Sequence, residues 1–197
     1  MTSTLEDEVR KNIENAAKNI FEMATETNKE GVLPILTSEC DLVCYLFKEL
    51  YKPDIYMIST EVSPCETGKG WRYDMIIYEK GYKENERYQK FDRKGQPKEW
   101  CIKKYIAVLE LKLNWYCNLS KKEISDKVEE DIEKLLDISS KSSLLYSIVF
   151  EYCGERNRID LDRIMNKLKN TKIRMIYGNL RDKKLYLINS ENGIQPM

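Results

Sequence analysis

The chain has 197 residues, of which 42% are hydrophobic and 34% charged, and this fits one compact domain better than two. Its 33 Lys plus Arg balance 33 Asp plus Glu, which excludes a uniformly basic nucleic-acid-coating protein but not a local basic surface. There is no His, so His-ligated zinc, Ser-His or Cys-His catalysis and imidazole acid/base chemistry are excluded, and any reaction must run on carboxylates, Lys, Tyr or Cys.

The first ten residues are acidic and lack the apolar stretch of a secretion signal. The longest apolar runs, such as 106–109, fall far short of the roughly 20 residues that cross a bilayer. A cytoplasmic protein with no membrane partner is expected. Over 5–24 the apolar positions Leu5, Val9, Ile13, Ala16, Ala17, Ile20 and Ala24 form one helical stripe, which predicts an amphipathic opening helix capped near Gly31. A second helix is expected from Pro34 and Thr37 or Ser38 to about Tyr51, burying Val43, Leu46 and Leu50 and ending before Pro53.

The period then shortens to β-type runs over 55–62, 72–78 and 105–113. The last is apolar on both faces, as in a strand covered by helices on both sides, and belongs in the middle of the sheet. A third helix follows over 121–138 on the stripe Ile124, Val128, Ile132, Leu135 and Leu136, then a strand over 144–152, so a crossover connection is expected. A shorter helix over 159–168, strands over 173–178 and 184–188, and a tail from Asn192-Gly193 complete the chain.

Six cysteines without a CxxC pair are read as reduced core thiols rather than metal ligands. Basic residues gather between the second and third strands, including Lys83, Arg87, Lys90, Arg93 and Lys94, and again in the C-terminal stretch from Arg156 to Lys184. Two such patches suit a polyanion lying on one face, although solvated surface explains any single residue equally well.

Three acid-x-Lys triplets occur: Asp92-Arg93-Lys94, Glu110-Leu111-Lys112 and Asp182-Lys183-Lys184. Only the second interrupts an apolar strand, where burying charge is costly without partners. At i and i+2 its carboxylate and ammonium leave the same face and converge on one small volume. Asp74 is a second acid in an apolar strand. If the two strands pair, Asp74 and Glu110 come together, and two carboxylates about 4 Å apart repel by roughly 4 kcal/mol at an effective dielectric of 20. A cation is then required, and an all-oxygen donor set points to Mg²⁺ or Mn²⁺. Glu39, spaced three, four, seven and eleven residues before Leu42, Val43, Leu46 and Leu50, is expected to point inward as a third acid. A plain N-terminal helix acid, favoured by the macrodipole, is the competing account.

Helix with Glu39, strand, strand with Asp74, strand with Glu110-x-Lys112, helix, strand: this order resembles the PD-(D/E)XK, or restriction endonuclease-like, nuclease superfamily over about 34–152. Tyr73 stands where the family name has Pro, and the spacing from Asp74 to Glu110 is lengthened by the basic insertion. The resemblance implies an α/β fold with an αβββαβ core, a mixed central sheet flanked by helices and an extra N-terminal helix. One domain over 1–197 is expected, divided into the N-terminal helix (1–31), the core (34–153) and a C-terminal extension (154–197).

As function, the resemblance implies a Mg²⁺- or Mn²⁺-dependent nuclease hydrolysing phosphodiester bonds, with DNA favoured over RNA and room for a homodimer. Asp74, Glu110 and the carbonyl of Leu111 would hold the metal, Lys112 would position the attacking water or stabilise developing charge, and Glu39 would hold a second metal or an outer water. The insertion would contact phosphates. Lys127, Asp131 and Lys134 lie beside the apolar stripe of the third helix, where similar nucleases place polar residues facing the site, but a solvated face with i, i+4 pairing is the reading the sequence favours. Two alternatives stand beside the enzyme: a nuclease-like domain that binds nucleic acid or protein without cutting, and a structural subunit in which Lys112 merely neutralises Glu110.

Overall fold

A computed structural model describes residues 2–27, 36–64, 72–80, 87–91, 97–102, 105–114, 119–138 and 144–197. The elements in chain order are α1 (Thr2–Thr27), α2 (Glu39–Leu50), β1 (Tyr56–Pro64), β2 (Tyr73–Glu79), β3 (Arg87–Phe91), β4 (Pro97–Ile102), β5 (Ala107–Asn114), α3 (Lys121–Ile138), β6 (Leu144–Glu151), α4 (Leu161–Leu168), β7 (Ile173–Asn179), β8 (Lys184–Asn189) and β9 (Gly193–Pro196). The strands lie in the order β3-β4-β1-β2-β5-β6-β7-β8-β9, which puts β5 at the centre. Strands β5, β6 and β7 are parallel and joined by α3 and α4, whereas β1, β2, β8 and β9 run antiparallel to their neighbours within the main sheet. The fold is thus α/β with a mixed open sheet flanked by helices.

Burial on both faces explains the sequence of the central strands. All eight residues of β6 are buried, as in a parallel strand sandwiched between helix layers. On one face α1 and α2 cover Met75, Ile77, Leu109, Leu111, Ile148 and Phe150. On the other, α3 and α4 cover Ile76, Val108, Leu145, Val149 and Met175. Helix α1 reaches β7 because Gly178 leaves space for Phe21, whose ring a Cβ there would meet at 2.6 Å. Phe21 also packs edge-on against Phe150, with ring centroids 5.7 Å apart.

Several expectations are corrected. Helix α2 starts at Glu39 with Ser38, one of the two expected caps, as its N-cap, because Ser38 and Asp41 form a capping box that fixes its first turn; Pro34 lies outside the described residues. It buries Leu42, Leu46 and Leu50, while Val43 is only partly buried. The tail contains a strand, β9, paired with β8 along 193–196, which its lack of β-branched residues beyond Ile194 concealed. The basic insertion between β2 and β5 holds the hairpin β3-β4, joined to the end of β1 through Ser63 and Pro64. Its charge masked the alternation that marks a strand. Cys153 is buried, but Cys40 and Cys44 are exposed on α2 rather than core thiols. Gly31, Cys65 and Cys117 lie outside the described residues, as does the side chain of Cys101. Among the described residues no helix is long and apolar enough to cross a membrane.

Candidate active site

Strands β2 and β5 pair in the register Met75 with Leu109, Ile76 with Val108 and Ile77 with Ala107, which leaves Asp74 just past the end of the ladder. There the carboxylate replaces a ladder partner: Asp74 Oδ2 accepts the Leu111 N–H at 2.6 Å. The other neighbour of β2 is irregular at the same point. Thr60 pairs with Met75 and Val62 with Tyr73, and between them Glu61 takes a left-handed φ of 54°, a conformation costing about 1 kcal/mol for a residue with a Cβ. Tyr73 and Ile76 both join the cluster under α3, although an odd separation should send them to opposite faces. Strict alternation therefore breaks around Asp74, and the break turns its carboxylate onto the β5 backbone.

Glu110 and Lys112 alternate with Leu109 and Leu111, which face α1 and α2, so both polar side chains leave on the α3 side. Helix α3 meets them with Asp131 and Lys134. Lys134 Nζ lies 2.8 Å from Asp131 Oδ1 and 3.4 Å from Glu110 Oε2; Lys112 Nζ lies 3.4 Å from both Asp131 Oδ2 and Glu39 Oε1. The Tyr73 hydroxyl donates to the Lys134 carbonyl at 2.9 Å and fixes that turn of α3 over the strand. Four carboxylates and two ammoniums from α2, β2, β5 and α3 thus meet at the C-terminal end of β5.

The charges are not fully compensated. Glu110 is 2% exposed, and its Oε1 is buried with no hydrogen-bond partner among the described residues. Burial, then the neighbouring Asp74 and Asp131 carboxylates, push its pKa up to about 9. Asp74 is raised as well, by burial and by Asp131 and Glu39, against the lowering pull of the Leu111 N–H and Lys112. For Lys112, burial works to lower the pKa, but Asp131, Glu39 and Asp74 outweigh it and the net shift is upward, so it stays charged. Lys134 behaves alike, with Asp131 and Glu110 overcoming burial.

A buried, unpartnered carboxylate oxygen beside further carboxylates is a fitting place for a hard divalent cation. The fit is to a site of few protein ligands: among the described residues no three acidic, His or Cys side chains are arranged to grip one ion. Asp74 and Glu110 with the Leu111 carbonyl would be its protein donors, leaving the remaining positions to water, as Mg²⁺ prefers.

The structure brings Asp74, Glu110 and Lys112 together and adds Asp131 and Lys134. These two belong to the cluster rather than to a solvated face, since Asp131 is 4% exposed and Lys134 spans it to Glu110. The signal was available: Asp131 adjoins the buried stripe of α3, where an unpaired acid is costly. Lys127 is exposed and outside the cluster. Glu39 does not point into the core. It is the first residue of α2, half exposed, and Lys112 holds its carboxylate. Tyr73 was missed as a contributor, because a phenol in a strand reads as core until its hydroxyl partner is known. Lys83, Arg93 and Lys94 lie outside the described residues; Arg87 and Lys90 are on β3, with side chains outside the described set. The basic C-terminal stretch is neutralised in part, with Arg163 on Asp126 and Glu129, Lys167 on Glu133, Arg174 on Glu14 and Arg158 on Asp182, while Lys169, Lys172, Lys183 and Lys184 are exposed.

Compared with family models, with curated proteins and with solved structures, the chain finds no match.

Proposed function

We propose that the protein is a metal-dependent nuclease with a restriction endonuclease-like core, cleaving phosphodiester bonds of nucleic acid at the C-terminal end of β5. The observation that carries this reading is Glu110: buried, with one oxygen unpartnered, beside Asp74 and on the same strand face as Lys112. The order α2-β1-β2-β5-α3-β6, with the hairpin β3-β4 inserted between β2 and β5, supports the core assignment. DNA is the substrate class that the resemblance implies.

Asp74 and Glu110, with the Leu111 carbonyl, would hold Mg²⁺ or Mn²⁺. When bound, the ion supplies Lewis-acid polarisation of the scissile phosphate and lowers the pKa of bound water. Lys112, kept charged by three carboxylates, is placed to orient the attacking water or to stabilise the negative charge that develops in the displacement. Asp131 orients both lysines, accepting from Lys134 and facing Lys112. Glu39 holds Lys112 from the opposite side, so its role is positioning. Tyr73 anchors α3.

A second reading is favoured by the pairing of both lysines with carboxylates: a structural ion network in a binding module that does not cut. Lys112→Ala decides between them. The enzyme reading expects a folded protein whose Mn²⁺ affinity is retained or increased and whose Mg²⁺-dependent DNA cleavage falls by at least about a hundredfold. Asp74→Asn should lose metal binding and cleavage together. Unfolding of Lys112→Ala, with an unchanged metal response in Asp74→Asn, would establish the structural network instead.

A further inference from the structure

A second charged feature sits at the same end of the sheet, past the ends of the next two strands from the cluster. Residues 154–158 with Arg181 and Asp182 line a cleft of about 620 Å³ where β6 and β7 end. One rung of the sheet builds it. Asn114, Glu151 and Asn179 stand side by side on β5, β6 and β7, and all three are buried. The Glu151 carboxylate accepts from the Ile159 N–H and the Tyr177 hydroxyl. Asn179 donates to the Cys153 carbonyl and accepts from the Asp182 N–H. Segment 154–158 is therefore tied down at both ends, and the turn after β7 is tied to the same rung. Gly154 allows the two loops to close on each other, since a Cβ there would lie 2.7 Å from Arg181 Nη1.

Among the arginines of the C-terminal stretch, the cleft holds the two whose charge is not spent on a carboxylate; Lys169, Lys172, Lys183 and Lys184 are exposed elsewhere on the stretch. Arg158 is paired with Asp182. Arg156 and Arg181 are exposed and, among the described residues, have no carboxylate partner, whereas Arg163, Lys167 and Arg174 are all paired. Guanidinium groups presented by a fixed backbone recognise phosphate oxygens, to which they offer a planar fork of donors and a permanent charge.

We propose that Arg156 and Arg181 form a phosphate subsite for the backbone of the nucleic-acid strand that enters the β5 cluster; the polyanion's identity rests on the nuclease reading above. The register places Lys112 beside Val149, two residues below Glu151. Strand rise and spacing then put the cleft roughly 15 Å from the cluster. At about 3.4 Å per nucleotide along a helical strand, the arginines engage phosphates several nucleotides from the scissile bond. The subsite orients the strand and carries no base specificity.

The test is fluorescence anisotropy with a fluorescein-labelled DNA oligonucleotide, titrated over a range of salt in chelator so that binding is read without turnover. Arg156→Gln and Arg181→Gln should each weaken binding and lower the salt slope by about 1, and the double variant by about 2. Lys167→Gln, whose ammonium is already paired, should leave the slope unchanged. Arg156 is exposed and, among the described residues, unpaired, so its substitution does not act through the fold, and an unaltered slope in that variant overturns the subsite. Cleavage is scored separately in Mg²⁺. Arginine-dependent binding without cleavage upholds the subsite and sinks the nuclease reading. Cleavage with an arginine-independent slope does the reverse, and no binding of the oligonucleotide overturns the subsite.

Discussion

Glu110 and Glu151 are both buried glutamates on adjacent parallel strands, both with carboxyl groups pushed upward first by burial, yet their surroundings differ in kind. Glu151 has a donor for each oxygen, the Tyr177 hydroxyl and the Ile159 N–H, and its bonds fasten a loop to the sheet. Glu110 has Lys134 at 3.4 Å on one oxygen, no hydrogen-bond partner among the described residues on the other, and two carboxylates nearby that raise its pKa further. A satisfied buried acid holds structure together, while an unsatisfied one among like charges is stable only with a proton or a cation. The second condition is the one on which the proposed metal site rests.

The widest separation between the two should appear in turnover. On the nuclease reading proposed above, Glu110→Gln would remove a metal donor and is expected to reduce Mg²⁺-dependent cleavage by at least about a hundredfold. Glu151→Leu, assayed well below its melting temperature, should keep cleavage within the same order of magnitude as the parent. Equal losses in both would erase the distinction drawn here.

Stability should rank them the other way. Glu151→Leu strands two buried donors and should cost about 3 kcal/mol in denaturant unfolding, at about 1–3 kcal/mol for each unsatisfied group. In chelator Glu110→Gln replaces an acid that already holds its proton near neutral pH with a neutral group of the same shape, so stability should be unchanged there and raised toward pH 9.

The pH dependence sharpens the contrast further. Without a cation, Glu110 titrates at about 9 in the folded chain against an ordinary 4.5, so between those values the folded state holds a proton that the unfolded chain has released. Stability must then fall as pH rises from about 4.5 to about 9, because the native state binds the extra proton. Thermal melting in chelator should show this decline. Glu110→Gln should lessen it, leaving the part that the raised Asp74 and Glu151 carboxyl groups contribute, and Mg²⁺ should offset it at the alkaline end. A melting temperature independent of pH over this range in the parent would place Glu110 in a far more polar setting than its burial implies.

The smallest effect is expected at the α3–α4 surface, where Lys167 pairs with Glu133 in partial exposure. Lys167→Ala should shift stability by no more than about 0.5 kcal/mol, as exposed pairs do. That sets a baseline against which the buried acids can be judged.

Periodicity and local chemistry were sufficient for the main elements. The stripe of α3 and its span, the continuous apolar runs of β5 and β6 and the crossover between them follow from side-chain spacing alone. Asp74, Glu110 and Lys112 were legible for the same reason, as charges set in strands too apolar to hold them freely. The sequence could not assign partners, because partners are set by register and by the angle at which helices cross the sheet. The break in alternation at Asp74, the approach of Asp131 and Lys134 to β5, and the outward turn of Glu39 toward Lys112 all depend on how distant elements pack. The same holds for the charges of the C-terminal stretch: sequence supplied a basic surplus, and tertiary pairing decided that Arg163, Lys167 and Arg174 spend it internally while Arg156 and Arg181 keep it exposed. Local composition determines which residues must be buried or paired, and only the three-dimensional neighbourhood determines with whom.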